Sequence, residues 1–169
     1  VWAGVRQPLV VAAVDPRVTF VNLPRSRAIG AEASFTAMPV TEVTLQGAYT
    51  FSDTEVRRGT RLLRPGDQLP GMPEHQGSFT ADVQVARVSV GGTFRYVGRR
   101  TAPFDYVSQV LGLGTLSSYT RYDMRARIGL TDGLWLSMVG ENLTDEQYQE
   151  VPGYPALGRM LRAGVQVSF

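Results

Sequence analysis

Arginine is the residue with chemistry to offer in this sequence, and its spacing falls into two patterns. Arg57, Arg58, Arg61 and Arg64 crowd one segment rich in glycine and proline, and Arg99 and Arg100 flank another. Guanidinium forks on a loop can draw in an anionic ligand through charge and paired hydrogen bonds. The same loop arginines also suit an anionic surface, or plain solvation. In the second pattern Arg121, Asp123, Arg125 and Arg127 alternate along one segment, with Arg95 and Asp82 in its neighbours. Alternating charges of both signs suit pairing across strands or contact with another part of a protein; a path for a ligand is the lesser reading. Enzymatic machinery is missing. His75 is the single histidine, and the absence of cysteine removes thiolate nucleophiles and cysteine metal sites. Gly112-x-Gly114 lacks the strand–turn–helix setting of a nucleotide fingerprint. Asp132-Gly133 is a turn dipeptide and not a calcium loop. No catalytic residue, metal set, cofactor-binding residue or cofactor is expected.

The elements that carry these residues follow from a hydrophobic period of two. Along 43–51 one parity reads Val43, Leu45, Gly47, Tyr49, Phe51 and the other Thr44, Gln46, Ala48, Thr50. Segments 78–85, 88–99, 121–130 and 160–169 alternate in the same way. Segment 29–37 alternates with small residues, and 134–143 carries apolar groups on both parities. About eight strands result, one of them truncated near Val1, with essentially no helix. The chain of 169 residues is 43% hydrophobic, too apolar for a disordered tail. Its longest apolar run, 9–14, is about a third of the roughly 18 residues a spanning helix requires. A net charge of +2 is too small to argue for nucleic acid. The chain opens on Val1 without a methionine or a charged-then-apolar leader, so a mature product or a piece of something longer is expected.

Short turns near 38–42, 86–88 and 132–133 alternate with long irregular stretches at 8–17, 57–74, 100–117 and 146–158. That alternation sorts short turns to one end of a sheet and long loops to the other, as in outer-membrane barrels. Tyr49, Phe51, Phe94, Tyr96, Tyr119 and Tyr122 fall near the long-loop end, and Phe35, Trp135 and Phe169 near the short-turn end. Two bands of rings suit the two boundaries of a bilayer. An open sheet edge is not tolerated in hydrocarbon, so the sheet closes on itself or completes a larger barrel. The inner parity carries few acids (Glu32, Asp82, Asp123), which favours an arc of a larger barrel over a small complete one.

Several motifs carry a family resemblance. Asn22 followed by Gly30-Ala31-Glu32, then 49–53 (YTFSD), then Pro70-Gly71-Met72-Pro73-Glu74-His75 appear in order. Glu141-Asn142-Leu143-Thr144-Asp145-Glu146-Gln147-Tyr148 is the most specific, and Gly158-Arg159 follows it before a final strand. Together they resemble the C-terminal barrel region of TonB-dependent outer-membrane receptors, with Asn142, Leu143, Asp145, Tyr148, Gly158 and Arg159 as the family motif. The resemblance implies an all-β, antiparallel transmembrane β-barrel segment within a barrel of roughly 22 strands. Residues 1–169 would then form its C-terminal portion, the plug domain lying elsewhere.

It further implies location in the bacterial outer membrane and uptake of a scarce nutrient, most often a ferric siderophore, energised through TonB. The implied partners are membrane lipid and lipopolysaccharide, the barrel-assembly machinery, the plug, TonB and a small-molecule ligand. Arg162-x-Gly164-x-x-Val167-x-Phe169 fits an outer-membrane assembly signal, because an apolar strand edge can add to a strand of the assembly machinery. Two other classes stay open: a small complete barrel with a structural or adhesion role, and an outer-membrane enzyme active at the rim.

Overall fold

The computed structural model describes residues 2–3, 9–13, 18–22, 25–59, 63–102 and 114–168. Fourteen strands lie among them: β1 (Trp2–Ala3), β2 (Leu9–Ala13), β3 (Val18–Asn22), β4 (Arg25–Val40), β5 (Val43–Arg58), β6 (His75–Val85), β7 (Val88–Val97), β8 (Arg100–Thr101), β9 (Thr115–Leu116), β10 (Tyr119–Gly129), β11 (Leu134–Glu141), β12 (Gln149–Val151), β13 (Tyr154–Pro155) and β14 (Met160–Val167). Eight of them make one antiparallel sheet in the order β1-β4-β5-β6-β7-β10-β11-β14. β1 and β14 stand at its two ends and do not pair with each other. The sheet is therefore an arc and not a closed cylinder.

Turns at 41–42, 86–87 and 130–133 lie at one end of the arc. Three of the four stretches expected to be irregular at the other end involve small hairpins, β2 with β3, β8 with β9 and β12 with β13, while the described residues 63–74 hold no strand. Backbone groups in a long loop still need partners, and short ladders supply them. β4 and β5 each run 16 residues, beyond the roughly 9–11 that a tilted strand needs to cross a bilayer. Their upper ends therefore rise above the hydrocarbon.

Register decides which face each side chain takes. Val43 lies opposite Val83, Leu45 opposite Ala81, Phe79 opposite Phe94, Phe94 opposite Tyr122, and Leu136 opposite Val165. All are apolar and on one face. Phe35, Met38, Phe79, Val83, Tyr122, Met124, Met138, Leu161 and Val165 are exposed on it. Such a continuous apolar surface is not left to water on a soluble monomer, and acyl chains cover it here. Phe35 lies across Gly47 so closely that a Cβ there would come within 2.2 Å of its ring.

The aromatic band at the loop end is real for Tyr49, Phe51, Phe94, Tyr96 and Tyr122, joined by His75. Tyr49 Oη and His75 Nδ1 are hydrogen-bonded at 2.6 Å, and the Phe51 and His75 rings lie 5.3 Å apart. Two rings depart from the expected bands. Trp135 lies opposite Gly129 and Gln166, on the inner face. Tyr119 opens β10 on that same face, opposite Val97, and is buried. Phe169 lies outside the described residues.

Candidate functional site

The inner face reads, strand by strand, as a polar wall. Thr44, Asp82, Gly91 and Arg125 form one row, and Gln46, Thr80, Thr93 and Asp123 the next. All five inner-wall candidates, Arg95, Arg121, Asp123, Arg125 and Arg127, project from this face. Arg121 Nε donates to Asp123 Oδ1 at 2.7 Å. Arg125 Nη2 donates to both oxygens of Asp82, at 2.5 and 2.7 Å. Arg127 donates to Gln166 Oε1 at 3.0 Å, its guanidinium 4.4 Å from the Trp135 ring centre. Arg95 lies opposite Arg121 with no acid at hand among the described residues, beside Ser78, Gln76 and Thr50 around a cavity of about 250 Å³.

The Asp82–Arg125 pair spans three strands, because β7 runs between its members. Gly91 is the residue in register with both, and a Cβ there would lie 2.0 Å from Asp82 Oδ1 and 3.1 Å from Arg125 Nε. Glycine makes the bridge possible. Both partners are partly exposed, so the pair is worth about 1 kcal/mol or less. In a double-mutant cycle on the full receptor, Gly91→Val and Asp82→Asn are expected to be non-additive, since each removes the same contact. Strict additivity in unfolding midpoints would refute the bridge.

At the rim, the loops fold inward onto the wall. Val56 is fully buried beneath Leu63 and Leu69, with Met72 packed beside them. Leu69 N donates to Thr54 Oγ1 at 3.2 Å, and Val56 N donates to Asp67 O at 2.8 Å. The next loop joins in through Gly71 N, which donates to Thr101 O at 2.8 Å. Arg100 ties that loop to the third, its Nη2 donating to the carbonyls of Gln149 and Glu150 at 3.2 and 3.4 Å. Tyr119 stacks on Tyr148 at 3.9 Å and donates from its hydroxyl to Glu150 Oε1 at 3.0 Å.

The motif around Asn142 is a clasp. Asn142 is 2% exposed with φ at +49°, a left-handed conformation that asparagine tolerates. Its Nδ2 donates to the carbonyls of Glu146 (3.0 Å) and Leu157 (3.2 Å), and its Oδ1 accepts from Glu146 N (2.9 Å). Asp145 Oδ1 accepts from Arg159 N at 2.8 Å, passing close over Gly158. Leu143 folds back over Gly140. Asn142, Leu143, Asp145, Gly158 and Arg159 thus shape one turn that aims the third loop, and Tyr148 carries it to Tyr119.

The loop arginines are dispersed. Arg57 faces outward, 2.9 Å from Glu55, beside Arg27, which reaches Asp53 at 3.4 Å. Arg58 lies opposite Arg25, and Arg64 is exposed, its backbone N–H bound to Asp67 at 2.6 Å. Arg61 lies outside the described residues. In the last strand Arg162 faces inward and bonds Glu141 at 2.5 Å, Gly164 lies under Ser137, and Val167 faces outward. Sequence reasoning left Arg100 open between ligand, anionic surface and solvent, and missed its burial. It also missed the Val56–Leu63–Leu69 core, whose signal was available in leucines within a loop that follows an aliphatic strand end.

Known proteins share this architecture. The ferric-catecholate import receptor Fiu of E. coli K12 superposes with a TM-score of 0.72 at 22% identity, over 95% of this chain and 23% of that one. In sequence, the metal-pseudopaline receptor of Pseudomonas aeruginosa is 28% identical over 130 residues, 74% of this chain and 18% of its own length. The iron-regulated outer membrane virulence protein of Vibrio cholerae is 29% identical over 153 residues, 88% of this chain and 22% of its own. The chain thus spans about a fifth of the length of the relatives it matches. A family model described as "TonB dependent receptor-like, beta-barrel" matches residues 5–143. With its apolar face outward, its polar wall inward and its loops gathered at one rim, the chain belongs to the TonB-dependent receptor β-barrel family of the bacterial outer membrane.

Proposed function

We propose that these 169 residues are the C-terminal barrel portion of an active transporter that takes up a ferric siderophore, energised through TonB. A separate N-terminal plug fills the lumen against this wall. The observation that carries the reading is the polar inner wall, with cations exceeding acids and Arg95 left for a partner outside the described residues. Among the proteins it resembles, one is named for ferric-catecholate import, one for a metal-pseudopaline and one for regulation by iron, which supports iron as the cargo element. Arg58, Arg61 and Arg64 contribute to first contact with an anionic chelate, while Arg57 and Arg27, facing outward, meet lipopolysaccharide. Arg162, Gly164, Val167 and Phe169 act as the signal read by the assembly machinery, which the alternation along β14 supports, with Leu161, Val165 and Val167 exposed on the apolar face and Arg162 turned inward.

The test is deletion of the full-length gene followed by uptake of radiolabelled iron presented as different siderophores. Loss of uptake of one siderophore class, matched by loss on collapsing the inner-membrane proton gradient, is expected. Unimpaired uptake of every ferric siderophore, with loss of cobalamin uptake instead, would overturn the iron reading while leaving a transporter.

A further inference from the structure

Arg100 is 7% exposed and its Nη1 is buried without an acceptor. Its Nη2 is held by the two carbonyls of the third loop, and Tyr119 lies 5.9 Å from the guanidinium carbon. Among the described residues no carboxylate pairs with it. Glu150, whose carbonyl accepts from Arg100, turns its carboxylate to the Tyr119 hydroxyl. Ser52, 4% exposed on β5, likewise has a buried Oγ with no partner. The two orphaned groups come from different loops and strands, yet they line the same cavity of about 370 Å³, together with Thr54 and the charged Asp53, Glu74 and Arg99.

A buried cation lacking a counter-ion is strongly unfavourable, and so is an unsatisfied hydroxyl. Two such groups aimed into one polar cavity are complementary to an oxygen anion. We propose that this cavity binds the carboxylate group of a small soluble ligand, with Arg100 Nη1 and Ser52 Oγ donating to its oxygens. The hydroxyl of Thr54, whose oxygen already accepts from Leu69 N, is free to donate as a third group. A singly charged group fits better than a phosphate dianion. Arg100 supplies the one buried cation, Arg99 being exposed at the edge, and two carboxylates, Asp53 and Glu74, also border the cavity. The site lies where three loops are stitched together, so a ligand there would couple their positions. The inference rests on the uptake reading only in taking this rim as the outward mouth.

The test needs neither iron nor TonB. Acetate is the probe, added to the full-length receptor in detergent micelles, and saturation transfer to its methyl protons reports binding. Wild type is expected to show transfer that inorganic phosphate at equal concentration displaces by less than half. Arg100→Gln should weaken binding about ten-fold, as loss of a charge-assisted hydrogen bond implies. Ser52→Ala should weaken it less, and Arg87→Gln, at the turn end of the sheet beside Asp132, not at all. Arg100→Lys keeps the charge and should keep part of the binding, a check that stands even where the glutamine variant folds poorly. No transfer in wild type, equal transfer in Arg100→Gln, or full displacement by phosphate would each overturn the carboxylate site. Failure of siderophore uptake would leave these binding results unaffected, so the two proposals fail separately.

Discussion

Asn142→Ala is expected to lower the stability of the folded receptor by about 3 kcal/mol. Three side-chain hydrogen bonds vanish at a residue 2% exposed, stranding Glu146 N and the carbonyls of Glu146 and Leu157. Alanine must also hold a φ of +49° that asparagine tolerates and a β-carbon without a polar group does not. Heating in detergent, read by the temperature at which the fast-migrating folded band disappears on a gel, measures the loss. Asn142→Gly separates the two causes. It relieves the backbone strain and should recover about 1 kcal/mol of the deficit while the hydrogen bonds stay broken. Asn142→Asp should be no better than alanine, because a carboxylate would face two carbonyl oxygens. If alanine matches wild type, the clasp is not what holds the third loop.

Leu69→Ala is expected to release the loop between β5 and β6 while leaving the barrel intact. Leu69 is 5% exposed and closes over Val56 and Leu63, the only buried aliphatic cluster among the described residues of the rim. Truncating it should cost about 2–3 kcal/mol, most of it local because the sheet ladders do not depend on that contact. A loss of that size raises the open population of the loop roughly 30- to 150-fold. Limited proteolysis of whole cells should show this as faster cleavage between β5 and β6, with the remainder of the receptor protected. Global loss of the folded band in place of local cutting would show that the loop core supports the barrel itself.

The reach of sequence reasoning differs between wall and rim for a physical reason. In a strand, the side-chain period of two ties each residue's face to its neighbour's, so Tyr122, Met124, Ala126 and Ile128 declare the outward face and Arg121, Asp123, Arg125 and Arg127 the inner one. Where both parities are apolar the rule has nothing to grip. Trp135 stands next to Leu134 and Leu136, and only pairing with Gln166 and Gly129 shows it to be an inner residue that caps a glycine and stacks on Arg127. At the rim, faces are set by how loops fold on one another, which no local period encodes. Arg99 and Arg100 are adjacent and chemically identical, yet one is exposed and the other buried. The Asn142 motif was legible as a pattern but not as a clasp, since its partners Leu157 and Arg159 lie about fifteen residues away across a turn.

Strand order has a consequence for how the arc is made. Each ladder joins a long strand to the next one along the chain, with only small hairpins in between. The chain-entropy cost of closing each link grows slowly with loop length and is modest here. Low sequence separation also favours rapid pairing. The arc can therefore grow one hairpin at a time from the tight turns, each long strand pairing with the one laid down just before it.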